Sequence, residues 1–111
     1  MAVTIKVLIP AKIAESAQTT QYTATGVKAI IDKFTGTNYS AVAATLSVNL
    51  VTSAGAAGDS NLITKTKTLQ AGETYTFPEI VGHTLDASGF ISTIAGTATS
   101  INIRASGREV S

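Results

Sequence analysis

Residue types able to do acid–base chemistry are few in this chain, and they stand apart. The one histidine, His83, sits in EIVGHTLD beside Gly82, a turn-rich setting that suits a surface position better than a general base. A hydrolytic site needs a nucleophile, a base and an orienting acid that converge, and nothing near His83 completes such a set. The seven acids, Glu15, Asp32, Asp59, Glu73, Glu79, Asp86 and Glu109, are scattered, with no closely spaced pair. With no tryptophan and only Tyr22, Tyr39 and Tyr75 as tyrosines, the chain is poorly supplied for stacking a sugar at a carboxylate dyad. These residues read as those of a protein that is not an enzyme.

The short motifs point the same way. AGAAGDSN at 54–61 is glycine-rich, yet no Lys-Ser/Thr follows and no strand-to-helix pattern surrounds it, so it reads as a loop and not a phosphate cradle. DASG at 86–89 lacks the alternating carboxylates of a calcium loop and reads as a β-turn closed by Gly89. Cysteine is absent, which removes disulfides and thiolate metal sites. No cofactor or metal is expected.

Charge narrows the partners. Charged residues make up 14% of the chain, against about 25% in an ordinary soluble domain, and Thr, Ser and Ala take their place. Such a weakly charged surface is typical of proteins packed side by side. The net charge is +1 and the eight basic residues are spread along the chain, so no basic block exists to neutralise a run of phosphates and nucleic acid is not an expected ligand. Lys65 and Lys67 alternate in LITKTKTL and are expected to share one solvated strand face that discourages edge pairing. No apolar run approaches the roughly 20 residues of a membrane-crossing helix, and the first residues lack a signal-peptide pattern. No membrane partner is expected.

The elements that would position these residues are strands. In AVAATLSVNLV at 41–51, Val42, Ala44, Leu46, Val48 and Leu50 alternate with polar or small residues, the period-two mark of a half-buried strand. ATSINIRAS at 98–106 repeats it with Ile101, Ile103 and Ala105 inward. ETYTFP at 73–78 sets Tyr75 and Phe77 on one face before Pro78. VTIKVLIP (3–10), QTTQYTAT (18–25), GVKAIIDKFTG (26–36), NLITKTKTL (61–69) and GFISTIAG (89–96) are rich in β-branched residues and bounded by turn formers. Val27, Ile30, Ile31 and Phe34 would also fit helical spacing, but β-branching and the flanking glycines favour a strand. Turn signals at TGTN (35–38), SAGAAGDSN (53–61), QAGE (70–73), VGH (81–83), DASG (86–89) and AGT (95–97) separate the runs. Together they predict an all-β fold, a β-sandwich or jelly roll of about seven to eight antiparallel strands in a single domain spanning 1–111. SAGAAGDSN, with no large side chain, is expected to be a mobile loop tip.

The N-terminal segment stands out because Val3, Ile5, Val7, Leu8 and Ile9 carry apolar groups to both faces. It is either a strand buried between layers or an extended strand or arm, spanning 1–12, that adds to a neighbour's sheet. Val3, Ile5, Val7 and Ile9 are the candidate partner contacts there. In the closing GREVS, a second candidate arm, and just before it, Arg104, Arg108 and Glu109 are candidates for ion pairs across an interface.

The stretch from Leu69 to Val110 resembles small virion structural proteins of tailed bacteriophages. The pattern is carried by Leu69, Gly72, Leu85, Gly89, Ile91, Ile101, Ile103, Gly107 and Glu109. YTATGVKAIIDKFTGTNYSAVAATLSVNLV before it is similar to their usual opening. That resemblance implies a capsid decoration or cement protein, made in the host cytoplasm and placed on the capsid surface of the virion. It further implies the major capsid protein as partner and a homo-oligomer, with a trimer favoured. The alternatives are a tail, neck or head-fibre component, or a carbohydrate- or receptor-binding module that would use Tyr22 and Tyr39 as exposed aromatics.

Overall fold

The computed structural model describes residues 2–111. Among the described residues there are nine antiparallel strands and one short 3-10 turn: β1 (Val3–Ile13), β2 (Thr19–Thr23), β3 (Lys28–Asn38), β4 (Ala44–Val51), the turn Asp59–Asn61, β5 (Leu62–Leu69), β6 (Thr74–Tyr75), β7 (Thr84–Leu85), β8 (Phe90–Ala95) and β9 (Ile101–Val110). One sheet runs β1-β9-β3-β6, with β7 also on β3, and the other runs β2-β8-β4-β5. The pairs β1 with β9, β2 with β8, β3 with β6 and β7, and β4 with β5 are nested. They make one long hairpin with its tip at 52–61, rolled so that β9 also meets β3 and β8 meets β4. This is the jelly-roll order, one of the two topologies the sequence left open.

Core residues come from the inward side of each strand. Ile101, Ile103 and Ala105 of β9 face Leu46, Val48 and Ile91 of the other sheet within one cluster that also holds Ile9, Ile31, Phe34 and Phe77. Burying each large side chain contributes about 1.5–3 kcal/mol. The Phe77 ring lies edge-on to Phe34 at 5.0 Å and to Tyr75 at 4.7 Å.

Several expectations are corrected by tertiary contacts. TGTN is not a turn: β3 continues through Gly36 to Asn38. A Cβ on Gly36 would stand 3.0 Å from the Phe77 ring, so this glycine makes room for an aromatic in mid-strand. In ETYTFP only Thr74 and Tyr75 pair, because Phe77 turns into a left-handed conformation (φ 45°) to reach the core. Val42 is 63% exposed and precedes β4. β3 bulges at Asp32, between the paired Ile31 and Lys33. Inward residues therefore shift from Ala29 and Ile31 to Phe34 and Gly36, which is why the segment mimicked helical spacing.

Lys65 and Lys67 do not share a face. Leu46 opposes Lys67 and Val48 opposes Thr64, so two residues of β5 bulge out opposite Ser47, and Thr66 is left-handed (φ 43°). Lys67 then lies 4.5 Å over the Tyr75 ring while Lys65 is exposed. The loop at 53–61 is pinned by two asparagines. Asn49 Nδ2 donates to Asn61 Oδ1 at 2.7 Å and to the Gly58 carbonyl at 3.0 Å, and Asn61 Nδ2 donates to the Ala56 carbonyl at 2.9 Å.

Candidate assembly edge

β1 forms one edge of its sheet, paired with β9 on one side only. Ala2 and Ser111 exchange both backbone hydrogen bonds, at 3.1 and 2.9 Å. Antiparallel pairs alternate between bonded and non-bonded. Thr4 with Glu109 and Lys6 with Gly107 are therefore bonded pairs, while Val3 with Val110, Ile5 with Arg108 and Val7 with Ser106 are not. The N–H and C=O groups of Val3, Ile5 and Val7 consequently point to the open side. Their side chains share the outer face and are 58%, 88% and 42% exposed.

The same strand closes over the core further along. Leu8 is the extra residue of a bulge between the paired Val7 and Ile9, and it reverses the alternation. Leu8 and Ile9 are buried, and Ile9 opposes Ala105. Ile9 is thus a core residue and not a partner contact, since strict alternation would have kept it beside Val7. The 1–12 segment, expected as a buried strand or as an extended strand or arm, is from Val3 onward a docked edge strand paired within the chain; Met1 lies outside the described residues. Ile13, beyond the bulges, is again exposed.

GREVS is not an arm either. β9 is an inner strand, held by β1 and β3 as far as Val110. Arg108 lies beside Ile5 on the outer face and is tied to Asp32, Nε to Oδ2 and Nη2 to Oδ1, both at 2.9 Å. That bidentate pair lowers the Asp32 pKa, first through the hydrogen bond and then through the guanidinium charge, and raises that of Arg108. Arg104 is exposed opposite Thr35.

Glu109 faces the other way. Its Oε2 accepts from the Tyr22 hydroxyl at 2.5 Å and lies 3.4 Å from Lys6 Nζ. The Tyr22 bond holds the Glu109 carboxyl below its ordinary range; burial, the next largest effect, opposes it, and the Lys6 bond and charge add to the lowering. Lys6, the one charge in Val3–Val7, is thereby turned away from the outer face. Tyr22 is buried, so of the two tyrosines a sugar-binding reading needs exposed, only Tyr39 is.

Sequence reasoning placed Tyr22 on the surface and so missed its bond to Glu109, and it missed the second cluster, in which Glu79 accepts from Thr64 at 2.6 Å and Tyr75 at 2.8 Å. A signal for the first existed. Glu109 keeps the parity of Ile101, Ile103 and Ala105, so a carboxyl on the inward side required a donor. Elsewhere His83 is exposed in a turn. Among the described residues no three His, Cys, Asp or Glu side chains are grouped so as to hold a metal ion, and no helix is long and apolar enough to cross a membrane.

Compared with protein families, curated proteins and solved structures, the chain matches none.

Proposed function

We propose that this chain is a non-enzymatic structural protein of a tailed-phage virion, a capsid decoration or cement protein that bridges and stabilises major capsid subunits. The observation that carries the assembly part of this reading is the open edge at Val3–Val7. A protein that works alone protects an edge strand with outward charge, proline or a bulge. Here the bulge comes only at Leu8 and the proline only at Pro10, while Lys6 is turned inward to Glu109. Three apolar side chains and their unpaired backbone groups remain on offer, as β-strand addition requires.

The virion part rests on the resemblance of Leu69–Val110 to phage structural proteins. The jelly-roll architecture is compatible with it, since viral capsid proteins also use that fold, although fold alone assigns no function. Quantitative mass spectrometry of gradient-purified particles from the phage that encodes the chain tests the reading. The expected result is many copies per particle and a particle melting temperature that falls when the protein is stripped away, because a ligand of the assembled shell stabilises it. Absence from particles would overturn it. Immunogold labelling confined to the tail would replace it with the tail-component alternative.

A further inference from the structure

We infer that the occupant of the open β1 edge is a second copy of this chain, paired antiparallel about a two-fold axis through Ile5. The inference rests on reading β1 as the assembly edge and names its partner. Outward-pointing backbone groups occur at Val3, Ile5 and Val7, so an antiparallel copy must set these residues against one another. Centred on Ile5, the register places Ile5 against Ile5 and Val3 against Val7 of the second copy, with about six backbone hydrogen bonds across the seam. Every outer-face cross-strand pair is then apolar and β-branched, the combination that stabilises neighbouring strands. On the inner face Lys6 meets Thr4 of the second copy.

Neighbouring registers fit less well. Centring on Lys6 sets the two Lys6 side chains directly opposite, a like-charge pair. Centring on Val7 requires Leu8 and Ile9, which are bulged and buried. Centring on Thr4 pairs Val3 with Ile5 and leaves Val7 with no residue of β1 opposite it. Charge also permits the match, because Arg108 beside Ile5 is paired with Asp32 and Lys6, which meets Thr4 of the second copy, is paired with Glu109, so this register sets no two like charges opposite one another. One strand meeting its own copy makes a self-complementary contact that closes at two. On this pairing the unit is a two-fold pair, where the resemblance implied a trimer, and it carries each shell contact twice, as bridging two capsid subunits requires.

Light scattering across a dilution series tests the pairing. The wild-type chain should show twice the monomer mass at high concentration and dissociate on dilution, with a Kd on the order of micromolar for so small a seam. Ile5→Lys and Ile5→Glu, at a site 88% exposed, should each keep the wild-type circular dichroism and weaken self-association at least about tenfold. An equimolar mixture of the two should recover the doubled mass, because only this register sets position 5 against position 5. A wild-type monomer at hundreds of micromolar, or a mixture that stays monomeric, would overturn the inference. Recovery from particles is scored separately: a monomer abundant in particles defeats the pairing alone, and a charge-swap-dependent dimer absent from particles defeats the virion reading alone.

Discussion

The Tyr22 hydroxyl donates a 2.5 Å hydrogen bond to Glu109 Oε2, joining β2 of one sheet to β9 of the other. A counterpart on the far side joins Thr64 of β5 and Tyr75 of β6 through Glu79. Both carboxylates sit where the apolar core meets water, and each ties the two sheets together at an edge. For Glu79, burial would raise the pKa, but the bonds from Thr64, its own backbone and Tyr75, with the Lys67 charge, together outweigh it and lower the value.

Removing the hydroxyl should show what the first tie contributes. Tyr22→Phe keeps the buried ring and leaves Glu109 with Lys6 alone. Equilibrium urea unfolding at neutral pH should find the variant about 1–2 kcal/mol less stable, the range for a partly solvated bond to a charged acceptor. Glu109→Gln combined with Tyr22→Phe should cost less than the sum of the two single changes. Strict additivity would show that the bond contributes nothing.

Acid should loosen both ties. The folded pKa values of Glu109 and Glu79 are lowered from the ordinary 4.5, so below that value the unfolded chain binds more protons than the folded one. The stability they contribute is present above about pH 4.5 and is lost as pH falls through the folded values. Tyr22 acts oppositely: burial, then the Glu109 hydrogen bond and charge, push its pKa well above 10.0. Its contribution is present below pH 10.0 and lost above it, as the unfolded tyrosine gives up its proton first. Melting temperatures from pH 2 to 11 should fall at both ends, and Tyr22→Phe should flatten the alkaline arm.

Asn38 offers a sharper test of the core. It is fully buried at the end of β3, and its Nδ2 donates to the carbonyls of Leu69 at 3.0 Å and Val42 at 2.8 Å. Its Oδ1 accepts from the Ser40 N–H and hydroxyl. Asn38→Asp keeps the shape, removes both donated bonds and sets a negative charge against two carbonyl oxygens. The expected loss is about 3 kcal/mol or more at pH 7, shrinking toward pH 4 as the carboxyl protonates and can donate once. A pH-independent loss in thermal unfolding would contradict this account.

Gly107 should tolerate no side chain. A Cβ there would lie 2.0 Å from the Ile30 carbonyl oxygen and 3.1 Å from Leu8 Cδ1, and the nearer obstacle is backbone of the adjoining strand. Gly107→Ala should destabilise by about 3 kcal/mol or more in chemical denaturation, at the upper end of overpacking effects. A near-neutral result would mean that β3 and β9 can part without cost at this point.

Local sequence determined a good deal here. Period-two patterning marked the core faces of β4 and β9, because side chains alternate across a strand whatever its neighbours are. The even spacing of turn formers marked an all-β sandwich, and β-branching settled β3 as a strand. Those signals are local, and they end where two strands must fit one another. A bulge is one added residue whose place depends on the strand opposite, so only the folded sheets could put Leu8 and Ile9 in the core, leave Val3, Ile5 and Val7 outside, and separate Lys65 from Lys67. Strand order, the use of Gly36 as space for Phe77, and the pairing of Glu109 with Tyr22 eighty-seven residues away in sequence were likewise tertiary decisions. Each depends on packing between segments distant in the chain, which the periodicity of a single strand does not encode.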